Sequence, residues 1–172
     1  MGHSTHELDE LVGLLRRYSV AVLVDVRAFP RSRRVPQFNS DALERSLPER
    51  GVEYVHVPEL GGRRRPVPDS PNGGWRDEGF RGYADHMATP EFARGLSQLE
   101  ALARERATTV MCAEAVWFRC HRRLISDALL TRGWRVRHIG SDGRSSEHEL
   151  TPFAVAEGGR LGYPPEQTAF EL

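Results

Sequence analysis

The sequence predicts a single α/β domain of three layers, a mainly parallel sheet with helices on both faces. Three observations carry that prediction. Short β-branched runs such as VAVLVDV (20–26) are apolar without polar alternation, as in strands buried on both faces. Amphipathic helical stretches separate these runs, so each strand can return to its neighbour by a right-handed crossover. Loops rich in Gly, Pro and Arg follow the strands, at the edge where such sheets receive ligands. The chain of 172 residues suits one compact core. We expect that domain over residues 2–154. GGRLGYPPEQTAFEL has no apolar periodicity, which predicts a weakly ordered tail over 155–172.

The elements follow in order. Ser4 or Thr5 is placed to cap a helix through THELDELVGLLRRY, with Leu8, Leu11, Val12, Leu14 and Leu15 on its apolar face. Arg16 and Arg17 suit its carboxyl end. Strand 20–26 leads into RAFPRSRRVPQF, a loop dense in arginine. Ser40 can cap a helix through DALERSLPER that Pro48 ends or distorts. VEYVHV (52–57) is a second strand. PELGGRRRPVPDSPNGGWRDEG is a loop of a length that is usually functional or mobile. Phe80, Tyr83, Ala84 and Met87 mark a short helix, and Pro90 opens a longer one through PEFARGLSQLEALARER. TTVMC (108–112) is a third strand, CHRRLISDALLTRG (120–133) a helix stopped by Gly133, and WRVRHI (134–139) a fourth strand.

Formal net charge is zero, so there is no overall pull towards nucleic acid or an anionic membrane. All 24 basic residues are arginine. Every basic contact can therefore be a planar fork to carboxylate or phosphate, and no lysine amine is available for Schiff-base chemistry. No apolar run approaches a membrane span, and no signal-peptide pattern opens the chain. Two cysteines are too few for a disulfide framework. The expected setting is cytoplasmic.

The parallel topology would gather chemistry at one edge. The candidate catalytic residues are Cys112, Glu114 and His121 in VMCAEAVWFRCHRRLI. Cys112 ends a strand before a helix start, where amide dipoles and arginine lower a thiol pKa; the competing reading is a small buried apolar residue. Glu114 is suited either to proton transfer or to holding an arginine. His121, in the first helical turn, is disfavoured as a cation and suits a neutral donor or acceptor. Candidate substrate-binding residues are Arg27, Arg31, Ser32, Arg122, Cys120 and His138. Cys120 shares the buried helix face with Leu124, so packing competes with a resolving role towards Cys112. No cap precedes the Cys120 helix, and its free amides with Arg122 and Arg123 suit an anion. Asp25, inside an apolar strand, is expected to hold amides or Arg27 as an organiser. Trp75, Phe80, Tyr83 and Trp117 are candidates for stacking on a flat ligand or for packing under loops. Zinc is not expected, because ligand pairs at C-x2–4-C or H-x3–5-H spacing are lacking and adjacent Cys120 and His121 rarely aim at one centre. No other cofactor is called for.

GHS at the start, LVDVRAFPRSRR with Phe38, GVEYVHVPELGG, FRGYADHM, MCAE…CHRRLISDALL and VRHI together resemble the family catalogued as domain of unknown function 488. The likeness spans roughly residues 2 to 154. It implies one α/β domain with a shared pocket built from these loops, and it carries no settled activity. Members have a short strand before the GHS turn, whereas Met1 nearly abuts that turn here. The strand is missing, the start lies elsewhere, or another chain completes the edge. A looser likeness is to rhodanese-type domains, with a strand ending in D-V-R and a cysteine ending a later strand. The Cys112-to-Arg119 spacing is one residue longer than a phosphatase-like C-x5-R. Three functional readings follow. One is a cysteine-dependent enzyme for group transfer or hydrolysis on an anionic small molecule, such as a nucleotide or sulfur-bearing metabolite. The second is a non-catalytic module for nucleotide or nucleic acid, and the third is a partner-binding scaffold, on which the neutral charge and the lack of repeats are silent. The oligomeric state stays open, with a dimer compatible.

Overall fold

A computed structural model describes residues 1–165. Its centre is a three-stranded parallel sheet in the order β2-β1-β3, formed by β1 (Val22–Asp25), β2 (Glu53–His56) and β3 (Thr108–Met111). Val22 faces Glu53 on one side and Thr108 on the other. All four residues of β1 are buried, as its unbroken apolar run predicts. Its side chains alternate between two apolar clusters. Leu23 packs with Leu11 and Leu15 of α1 (Leu8–Arg17) and with Leu43 of α2 (Ser40–Ser46). Val22 and Val24 pack with Tyr83 of α3 (Glu78–His86), Leu96 and Leu99 of α4 (Pro90–Glu105), and Leu124 and Ile125 of α5 (Arg122–Thr131).

Local chemistry explains most element ends. Asp77 and Thr89 cap α3 and α4 by accepting the amides of Phe80 and Phe92, and Pro90 occupies the first turn of α4. Pro48 ends α2 and opens a short 3₁₀ turn, and Gly51 then turns the chain at φ +78°. Neither Ser4 nor Thr5 caps α1. Glu7 does, in a reciprocal box with Glu10. The start is delayed because residues 1–4 are spent on β3. The amides of His3 and Ser4 donate to the carbonyls of Cys112 and Ala113, and Cys112 donates to the Met1 carbonyl.

Two expectations are corrected. The fourth strand does not join the parallel sheet. β4 (Arg137–Ile139) instead pairs antiparallel with β5 (Ser145–Glu147), while residues 1–4 lie along the outer edge of β3. The fold is therefore mixed α/β, with a small parallel sheet and separate antiparallel hairpins. Residues 155–165 do not run loose either. β6 (Val155–Glu157) and β7 (Arg160–Gly162) form a hairpin, and the next residue, Tyr163, is buried in the core. Its hydroxyl donates to Asp127 at 2.8 Å and its amide to Asn72 at 2.9 Å. The remainder of the expected tail, residues 166–172, lies outside the described residues. No helix among the described residues is long and apolar enough to cross a membrane.

Candidate active site

The carboxyl ends of β1 and β3 and the amino end of α5 meet at a cavity of about 170 Å³. Cys112, His121 and Gly62, all half-buried, line it, and the exposed Phe29 and Arg63 lie at its mouth. Cys112 follows the last residue of β3 and is half-buried, pinned by its backbone bonds to Met1 and His3. Cys120 closes a 3₁₀ turn (Trp117–Arg119) in extended conformation, and His121 then enters helical geometry. That change of backbone turns both side chains to one side. The two sulfurs and one His121 ring nitrogen lie within 4.8 Å of each other.

The trio is held from behind. Arg122, 1% exposed, donates through Nε to Cys120 Sγ at 3.3 Å and through Nη2 to the Glu114 carbonyl. His121 Nε2 lies 3.0 Å from the Val26 carbonyl, which can only accept. In the neutral ring the proton therefore sits on Nε2, and Nδ1 turns its lone pair to Cys120 Sγ at 3.6 Å. The sulfurs are unequal. Cys120 is pulled down, first by the facing Cys112 thiol and then by His121 and Arg122 against its burial. Cys112 is pushed up, first by its bond to Cys120 and then by burial. The two thiols therefore titrate as a pair rather than singly. Gly62 has no room for a side chain, because a β-carbon there would lie 2.8 Å from His121 Nδ1. Arg63 holds φ +62°, a left-handed conformation that is strained for a non-glycine residue.

The expected residues divide. Cys112, Cys120 and His121 converge, and Arg122 supports them from the protein side rather than facing a ligand. Glu114 is exposed, its carboxylate accepting the Val116 amide at 3.2 Å. Arg27 reaches the cavity wall, yet its guanidinium is committed. Nε and Nη2 donate to the two Asp25 oxygens at 2.9 and 2.6 Å, Nη2 also to the Phe38 carbonyl, and Nη1 lies 3.1 Å from His3 Nε2. Asp25 also accepts from Tyr54 at 2.7 Å, which is the organiser expected of it. Arg31 is exposed on the loop and forms no ion pair among the described residues. Ser32 Oγ accepts the amides of Arg34 and Val35 in a turn. Arg123 leaves the anion role too, donating to Thr151 and lying over the Trp75 ring.

His138 does not line the cavity. It is buried on β4, stacked against Trp117 with ring centroids 3.8 Å apart. Its Nε2 meets His148 Nδ1 at 3.0 Å, and His148 Nε2 meets Asp127 at 2.8 Å. Thr151 and Tyr163 complete the Asp127 shell. Burial, then His148, lowers the His138 pKa to about 3. Trp75 and Phe80 stack on each other in the core, so neither is free for a base. Sequence reasoning missed Gly62, the mouth residue Phe29 and the Asp127–His148 chain. The Gly61–Gly62 pair was the available signal for a close approach.

The family model described as Domain of unknown function DUF488 matches residues 7–129. The chain belongs to this family. The DUF488 match takes in Asp25, Arg27, Cys112, Cys120 and His121, and stops short of His138 and His148. No curated protein and no solved structure matches the chain.

Proposed function

We propose that the chain is a cysteine-dependent enzyme, catalysing group transfer or hydrolysis on an anionic small molecule such as a nucleotide or sulfur-bearing metabolite. The observation that carries the reading is the pair of sulfurs beside the cavity, with Cys112 lining it and a buried guanidinium donating to Cys120 behind it. Cys112 is the accessible sulfur and the nucleophile. His121, whose Nδ1 lone pair faces the sulfurs, is the neighbour able to take its proton. Arg63, which forms no ion pair among the described residues, receives the anion at the mouth in place of the committed Arg27 and Arg122. The reading includes the three-layer, rhodanese-like arrangement and a cytoplasmic setting that keeps both thiols reduced.

The test is alkylation of the folded protein with iodoacetamide, read site by site by mass spectrometry. Cys112 should label in the folded state and be protected by an anionic substrate analogue, while Cys120, 5% exposed, should label only on unfolding. Equal labelling of both after denaturation alone would reduce Cys112 to packing. Phe29, 72% exposed beneath the Arg63 guanidinium at 5.9 Å, favours a second reading. In it a base stacks on Phe29 and the module binds nucleotide or nucleic acid without turnover. Cys112→Ser then leaves binding intact, and Arg63→Ala weakens it with a steep salt dependence.

A further inference from the structure

We propose that Cys112, Cys120 and His121 bind a borderline-soft divalent cation of the zinc class, with the fourth coordination position facing the cavity. The sequence spacing argues against such a site, because adjacent residues normally diverge. Here the backbone passes from φ −131°, ψ 149° at Cys120 to φ −56°, ψ −15° at His121. The step brings the Cys120 sulfur and His121 Nδ1 to 3.6 Å. Tetrahedral zinc with ordinary Zn–S and Zn–N bonds spaces such a pair by about 3.6 Å. The third donor, Cys112 Sγ, lies within 4.8 Å of both, so small side-chain rotations close the set.

Two features suit a metal better than a packed thiol pair. The ring nitrogen facing the sulfurs carries the free lone pair, because Nε2 is engaged by the Val26 carbonyl. That is the arrangement by which a backbone carbonyl orients a metal-bound histidine. The Arg122 Nε–H on Cys120 Sγ is likewise the outer hydrogen bond of a metal thiolate. Two thiolates neutralise the dication, and Arg122 offsets no more than one further charge. Three protein ligands with an open side describe a site that admits a ligand, whereas a structural zinc site is closed by four.

Cation binding and attack by Cys112 are exclusive states of one trio. The cation would therefore block the thiol chemistry, and this regulatory half rests on the enzyme reading above. The binding half does not. Cobalt(II) is the probe. Added to the reduced full chain, it should produce thiolate-to-cobalt charge transfer and the intense visible bands of a tetrahedral centre, both displaced by zinc. Cys112→Ser, Cys120→Ser and His121→Ala should each weaken cobalt binding by at least about tenfold. Gly62→Ala keeps all three ligands but crowds Nδ1, and should also weaken binding if the ligand variants fold poorly. Zinc should protect Cys112 from iodoacetamide, and a chelator should restore labelling. Absence of cobalt–thiolate absorption in protein whose two thiols are free overturns the site. So does absorption that persists unchanged in Cys112→Ser. Cobalt binding without any Cys112 labelling in the metal-free protein would uphold the cation site while defeating the enzyme reading.

Discussion

The ends of β1 and β3 lie side by side at the same edge of the sheet and use their polar groups in opposite ways. At the end of β1, Asp25, Arg27, Tyr54 and His3 form a closed set in which the guanidinium faces only protein acceptors. At the end of β3, two sulfurs and one imidazole nitrogen converge with bonding capacity left over, next to a cavity. A closed set contributes stability, and substitution there leaves buried charge unpaired. An open set contributes little stability and keeps its reactivity for a ligand. The same contrast separates Arg27 and Arg122, buried and committed, from Arg63 at the mouth.

The largest expected effect comes from breaking the closed set. Asp25→Ala leaves Arg27 buried without its carboxylate and should cost about 3–5 kcal/mol, read as a lower urea midpoint with little change in slope. A cost close to that of an ordinary surface substitution would show that water or Phe38 already satisfies the guanidinium and that the set is not closed.

The Asp127 chain is a second closed set, away from the cavity. Asp127→Asn should cost about 1–3 kcal/mol, because His148, Thr151 and Tyr163 lose a shared charged acceptor. Its pH signature has a definite sign. Against burial, hydrogen bonds from His148 and Thr151 hold the Asp127 carboxyl below its ordinary value. Its stabilisation is therefore present at neutral pH and is lost as pH falls through the folded-state value. His138, lowered to about 3 from 6.5, acts in the same direction and earlier. The unfolded chain takes up the proton below about pH 6.5 and the folded chain does not, so stability declines as pH falls from 6.5. His3, lowered to about 4 by burial and then Arg27, adds to that slope. His138→Gln should flatten part of the decline in urea unfolding between pH 6.5 and 4, and an unchanged slope would remove His138 as its source.

These networks also show what could be read in advance. The three strands of the parallel sheet and the five α-helices among the described residues follow from apolar period, capping residues and Gly or Pro stops, which are local signals. Asp25 was legible as an organiser because a carboxylate in VLVDVR must find a partner nearby, and Arg27 is two residues away. The convergence of Cys112 and His121 was legible from topology alone. Arg122 was misread as a ligand fork, since its number gives no hint that it is buried beneath Cys120. The chain from Asp127 through His148 to Tyr163 joins residues up to 36 apart in sequence with no shared period. Nor does any local signal say that β4 pairs forward with β5 rather than back with β3.

At the open set, Cys112→Ser should change stability by less than about 1 kcal/mol while removing the folded-state alkylation site. A loss as large as that of Asp25→Ala would place Cys112 among the structural groups and erase the contrast between the two strand ends.

Arg63→Ala sharpens the contrast most finely, because its expected effect on folding is the smallest. The side chain is exposed and forms no ion pair among the described residues, so its removal takes away only its contact with the exposed Phe29 ring. It also replaces one non-glycine residue with another at φ +62°, leaving the backbone strain in place. The unfolding midpoint should hardly move. Binding of an anionic analogue should nevertheless weaken by several-fold, and the loss should shrink as salt is raised, because an exposed cation is screened within about 10 Å at 0.1 M. Arg63→Lys should recover the charge without the planar fork, so it restores salt-dependent affinity only in part if the anion is held bidentately. A weakening that is independent of salt would point instead to the Phe29 contact, since Arg63 also covers that ring. Phe29→Leu, made alone and with Arg63→Ala, separates the two by whether their losses add.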